Sequence, residues 1–190
     1  MKTLRTALVA GVGLLALGLG NALAAGDHDM GTMSGDTMSA DMKAMHEELE
    51  AKMADTSAFG EKGDPARATE TVKVEASEIK FDITELTVTA GTTVKFVVTN
   101  KGEQAHEFTV GDAAYEEAAS QMMAMMTDMK MDPAAPEHAA MHAAAGNTVI
   151  VQPNETKEFA WTFTKTGTFA FACNFVGHSE AGMIGTITVK

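Results

Sequence analysis

From Thr71 onward, apolar and polar positions alternate with a period of two. Val72, Val74 and Ala76 fall on one side, followed by Ile79, Phe81 and Ile83, then Leu86 and Val88, then Val94, Phe96 and Val98. After the turn "TNKGEQ" the same alternation carries His106, Phe108 and Val110. It returns in "TVIVQ", in "KEFAWTFT" with Phe159, Trp161 and Phe163 in one register, in "GTFAFAC" and in the terminal "MIGTITVK". Short strands divided by Gly- and Asn-bearing turns predict an all-β domain, an antiparallel sandwich or barrel, over residues 69–190. Between residues 111 and 146 the alternation gives way to Ala, Met and Glu. This stretch reads as helical to Asp132 and broken by Pro133 and Pro136, an insertion in the β domain.

The N-terminal third has a different pattern. Lys2 and Arg5 precede an apolar run from Ala7 to Gly20 and the small-x-small site Ala22-Leu23-Ala24, so residues 1–24 are expected to be a cleaved secretory signal rather than a retained membrane helix. With no Cys after it to carry a lipid, the mature chain is expected in a bacterial periplasm without a membrane anchor. Residues 25–68 have no aromatic before Phe59 and are expected to form a mobile arm. Within that arm "SADMKAMHEELEAKM" predicts a short helix capped at Ser39 or Asp41. Loss of Lys2 and Arg5 with the leader takes the formal charge from −12 to −14, which excludes nucleic acid as a partner and suits metal cations or a basic protein.

Cys173 is the only cysteine, so no intramolecular disulfide exists, and a thiol in an oxidising compartment needs burial or a bound partner. Strand parity supplies a direction. His106 shares a face with Phe108 and Val110, Cys173 shares one with Phe169 and Phe171, and Met183 shares parity with Ile187 and Val189. His178 lies in the loop between, where parity gives no direction. A thiolate, two imidazoles and a thioether make a soft site, and His₂Cys with a weak axial Met is the arrangement of type 1 copper. Zinc is the weaker fit, because its structural sites rarely take Met. The competing account is a buried Cys173, a surface His178 and a core Met183.

The stretches "EIKFDITELTVTAGTTVKFVVTNKGEQAHEF" and "VQPNETKEFAWTFTKTGTFAFACNFVGHSEAGMIGTITVK" resemble the cupredoxins, the plastocyanin and azurin superfamily. The resemblance implies a Greek-key β-sandwich with one type 1 copper held by His106, Cys173, His178 and Met183. The spacing C-x4-H-x4-M is similar to that of auracyanin and rusticyanin. Many members carry Asn after the first His where this chain has Glu107, a position that bears on colour and potential through hydrogen bonds to the thiolate. Glu107 and Glu180 themselves read as solvated acids.

Fifteen methionines are more than one core site requires. In the arm, His28 and Met30 stand near one another, and Met42, Met45 and His46 repeat at i, i+3 and i+4. In the insertion His138, Met141 and His142 repeat that spacing. These clusters are candidate accessory sites for Cu(I) or Cu(II). Met122, Met126 and Met129 form a stripe that suits either packing or copper. The resulting expectation is a copper-sequestering protein that contributes to copper tolerance, with redox cycling at the core copper. The alternative is a one-electron carrier serving a cytochrome c or a multicopper oxidase. An enzyme is the weakest reading, although oxidation of Cu(I) stays open.

Overall fold

The computed structural model describes residues 39–190, the side chains of Met141 and His142 excepted. The expected leader, His28 and Met30 lie outside the described residues. Among the described residues, ten strands form two five-stranded sheets. The first contains β1 (Glu61–Lys62), β2 (Glu70–Ser77), β3 (Lys80–Phe81), β5 (Thr93–Asn100) and β8 (Thr156–Thr162), in the order β1-β8-β5-β2-β3. The second contains β4 (Glu85–Val88), β6 (His106–Gly111), β7 (Thr148–Val151), β9 (Gly167–Ala172) and β10 (Ile184–Val189), in the order β4-β10-β9-β6-β7. Pairing is mixed rather than wholly antiparallel, because β2 runs parallel to β5 and β4 parallel to β10. Crossovers between the two sheets separate the members of those pairs, which frees them from the hairpin geometry that period-two alternation suggests.

Alternation becomes burial. Val94, Phe96, Val98 and Asn100 of β5 point inward, as do Gly185, Ile187 and Val189 of β10. Between the sheets Phe96 stacks on Phe159 at 5.1 Å and Phe108 on Phe171 at 5.3 Å. Each such ring contributes about 1.5–3 kcal/mol by burial. The run through Ile79 ends differently from its pattern. Ile79 is exposed with φ of 53°, in the two-residue turn joining β2 to β3, and the strand resumes only at Lys80.

In β6 every residue is buried, including Glu107 and Thr109 on the face that alternation assigns to solvent. The insertion covers that face. Helix α2 (Ala113–Asp128), capped by Asp112 accepting from the Tyr115 N–H, packs on β6 and β9. It stops four residues before the predicted end, at a turn where Lys130 has φ of 61°, and Pro136 opens helix α3 (Pro136–His142) instead of breaking one.

The described part of the expected mobile arm is also structured. Helix α1 (Ala40–Ala54) is capped by Ser39, whose hydroxyl accepts from the Met42 N–H at 3.2 Å. Leu49 is 2% exposed, enclosed by Ala118, Met122, Met125 and Met126 of α2. Phe59 is fully buried, stacked on Trp161 at 5.3 Å and edge-on to Tyr115 at 5.3 Å. The described part of residues 25–68 is therefore packed in place rather than a mobile arm. The methionine face of α2 and the aromatic floor of the sandwich supply the missing partner surface.

Candidate metal centre

Three strand ends converge at one edge of the second sheet. His106 opens β6, Cys173 follows β9 directly, and Met183 immediately precedes β10. The β9–β10 ladder pairs Ile184 with Ala172, and the Cys173 N–H donates to the Met183 carbonyl at 3.0 Å, so Met183 stands opposite Cys173 on the same buried face. Between them the loop folds on itself. The His178 N–H donates to the Phe175 carbonyl at 2.9 Å, and the Met183 N–H donates to the His178 carbonyl at 2.9 Å. Gly177 and Gly182, with φ of 85° and 105°, supply the left-handed turns that this closure needs.

The closed loop swings His178 back over the sheet edge. Its Nδ1 lies 3.3 Å from Cys173 Sγ, and its ring centre is 5.3 Å from that of His106. One ligand atom each from His106, Cys173 and His178 lie within 4.8 Å of one another. His106 and Cys173 are fully buried, and His178 is half-buried.

The electrostatics point the same way. Burial lowers the pKa of His106, with His178 adding to the effect against a smaller pull from Glu78, and burial also lowers that of His178. Both imidazoles are therefore neutral and able to offer lone pairs. Burial, reinforced by the Glu107 carboxylate, pushes the Cys173 thiol up to about 12. A thiolate at this position needs a cation beside it. Neither ring nitrogen of His106 has a hydrogen-bond partner, although both are enclosed. Two enclosed, unpartnered imidazole nitrogens would be costly in a site built only for packing. The donor set fits copper, through a soft thiolate and two neutral imidazoles with Met183 alongside.

Glu107 is not the solvated acid its composition suggests. It is 1% exposed, and burial raises its pKa to about 7 against hydrogen bonds that favour the carboxylate. Its Oε2 accepts from the Asn174 N–H at 2.9 Å, and its own N–H points at Cys173 Sγ at 3.4 Å. It joins the strand of the first histidine to the cysteine loop. Glu180, by contrast, is exposed as expected. Asn174 in turn donates from Nδ2 to Glu116 Oε2 of α2 at 2.9 Å, while Tyr115 donates to Asn147 Oδ1 at 3.1 Å. Sequence reasoning missed these four residues. Only Asn174, adjacent to the sole cysteine, carried a signal that could have found it.

Among the described residues one group of His, Cys and carboxylate side chains converges as a metal site, the one at His106. Helix α1 places Met42, Met45 and His46 within one turn, with Met45 exposed and His46 Nδ1 3.7 Å from Glu50. His138 Nδ1 lies 2.6 Å from the Asp132 carbonyl. The Met122 and Met126 side chains are buried against Leu49, with Met129 partly buried beside them, a packing role.

Two facing sheets with a His, Cys, His edge define a copper-binding class. The family described as "Copper binding proteins, plastocyanin/azurin family" matches residues 68–190, and the chain belongs to it. The chain is similar to the "Copper-resistant cuproprotein CopI" of Rubrivivax gelatinosus, 40% identical over 151 residues covering 79% of this chain and 84% of that protein. A protein of the same description from Pseudomonas aeruginosa is 35% identical over 158 residues, covering 74% and 87%. Among solved structures, auracyanin B has a TM-score of 0.53 at 23% identity over 70% of this chain and 96% of that one, a likeness of fold.

Proposed function

We propose that this protein handles copper outside the cytoplasm, in the periplasm, and contributes to copper tolerance. In this reading His106, Cys173, His178 and Met183 hold one type 1 copper. The observation that carries it is the enclosed triad itself, with neutral imidazoles, unpartnered His106 nitrogens and a thiol that burial keeps from ionising without a cation. Its relatives named as copper-resistant cuproproteins support the tolerance role.

Copper bound there supplies one-electron chemistry. The protein's own contribution is to hold the thiolate and imidazoles rigidly, to exclude water from His106 and Cys173, and to leave the half-buried His178 near the surface. His28, Met30, Met42, Met45, His46, His138, Met141 and His142 would take up further copper. The alternative, a one-electron carrier for a cytochrome c or multicopper oxidase, is favoured by one observation. Val176 is 58% exposed beside Phe175, whose ring centre is 5.9 Å from that of His178, giving an apolar rim for a partner.

Titration of the mature protein with Cu(I) and then Cu(II), following copper per chain with visible and EPR spectra, separates the two. More than one copper, with a single thiolate charge-transfer band, supports copper handling. One coloured copper and no further uptake supports the carrier. No thiolate band at all overturns both.

A further inference from the structure

We propose that Glu116, on the inserted helix α2, is a positioning residue for the metal centre and acts through Asn174. The inference rests on the reading of Cys173 as a copper ligand.

Asn174 follows Cys173 directly, and both of its donors are held. Its backbone N–H goes to Glu107 Oε2, and its side-chain Nδ2 goes to Glu116 Oε2, each at 2.9 Å. The peptide that carries the Cys173 side chain is therefore fixed from β6 on one side and from α2 on the other. Glu107 completes the circuit by pointing its own N–H at Cys173 Sγ at 3.4 Å. Groups beyond the direct ligands orient those ligands and alter the electron density on sulfur, and removing them commonly weakens metal binding.

Three features set Glu116 apart from the packing face of α2. It is half-buried, whereas Tyr115, Ala118, Ala119 and Met122 are buried apolar contacts. Its Oε1 is enclosed without a hydrogen-bond partner, a costly placement that packing alone does not require. Gly111, the last residue of β6, makes room for it. A Cβ added at Gly111 would lie 2.9 Å from Glu116 Oε1 and 2.8 Å from Tyr115 Cδ1. The space left by Gly111 is shared by Tyr115 and this carboxylate, and the insertion is connected to the copper loop through one side-chain hydrogen bond.

The test uses the full mature chain loaded with Cu(II), comparing wild type with E116A, E116Q, N174A, the double variant E116A/N174A and M125A. Met125 is buried in the α1–α2 layer with no part in the Asn174 network, so M125A reports loss of helix packing alone. In E116A the thiolate band ratio and EPR hyperfine splitting are expected to change, and Cu(II) affinity by chelator competition to fall about tenfold, the low end for groups outside the ligand set. E116Q, whose amide oxygen still accepts from Asn174, should restore the wild-type spectrum. The double variant should go no further than the single ones. M125A should lower the melting temperature and leave the spectrum alone.

A wild-type spectrum and affinity in E116A would overturn the proposal, as would an equal spectral change in M125A. If E116A does not fold, N174A against E116Q decides the matter by the same spectral criterion. Absence of a thiolate band in wild type would instead remove the copper reading beneath it.

Discussion

The metal centre and the layer between α1 and α2 are both rich in soft donor atoms, yet they are built in opposite ways. At the centre, His106, Cys173 and His178 bring their ligand atoms within 4.8 Å, and His106 has two enclosed nitrogens with nothing to bond. In the helical layer Met53, Met122, Met125, Met126, Met129 and Met131 gather around Leu49 and Ala118, where a thioether serves as a flexible filler. Enrichment in a ligand type therefore does not define a site. Convergence of donors whose bonding is unfinished does.

The sharpest way to break this comparison is at Cys173. Cys173→Ala removes the only thiolate, and the visible charge-transfer band is expected to vanish entirely while the apo fold, probed by circular dichroism, persists. Survival of the band would mean that the coloured copper sits elsewhere and that the triad is packing. The converse substitution is Leu49→Ala. It should weaken docking of α1 by about 2–5 kcal/mol, the usual cost of hollowing a buried leucine. Hydrogen exchange over residues 40–54 reads this directly, with the copper spectrum unchanged. A spectral change as large as that of a ligand variant would show that the two regions are one.

A smaller effect separates them by pH. Burial raises the Glu107 pKa from 4.5 to about 7, so the folded chain holds this proton more tightly than the unfolded one. The stability that the proton confers is complete below about 4.5 and is lost as pH rises through about 7, a change of about 3 kcal/mol. His106 and His178, whose pKa values burial lowers, act in the opposite sense over the same window. Urea unfolding of the copper-free protein at pH 5 and pH 7.5 therefore isolates the Glu107 share as the difference between wild type and a Glu107 variant, with wild type the less stable toward the higher pH by that comparison. Glu107→Gln, which keeps an oxygen for the Asn174 N–H, should remove the Glu107 share of the loss and leave that of the histidines. An unaltered pH dependence in that variant would show that another buried group, with Glu116 the first to examine, holds the proton.

These residues also show where the sequence was readable. Parity directed His106 and Cys173 inward, and the even spacing from Cys173 through His178 to Met183 marked the loop. Both signals are local, and the ladder from β9 to β10 places Cys173 and Met183 on one face as parity requires. What was not readable depends on a surface that arrives from elsewhere. Glu107 looked solvated because alternation assigns it to the outer face of β6, and only α2, the next element along the chain, turns that face into interior. Phe59 and Leu49 looked like single apolar residues in a polar arm because Trp161 and Met122, which receive them, lie far along the sequence. Ile79 fitted the alternation and still fell in a turn, since a two-residue hairpin interrupts pairing without changing the pattern.

The smallest effect concerns what holds α1 in place. The helix carries an exposed Lys52–Glu48 pair at 2.9 Å and the His46–Glu50 contact, which would invite an electrostatic account of its order. Both pairs lie within α1 itself, and the charge interaction that reaches α2, between the exposed Lys52 and Glu117, is the weakest of those acting on Lys52. These charges therefore stiffen the helix more than they attach it. Attachment rests on Leu49, whose burial does not depend on ionic strength. Raising salt from low concentration to about 1 M shortens the screening length to about 3 Å. Hydrogen exchange should nonetheless show the amides around Leu49 equally protected at both salt levels. Release of α1 by salt would mean that charges bridge the helices, and the methionine layer would then have to be read as something other than packing.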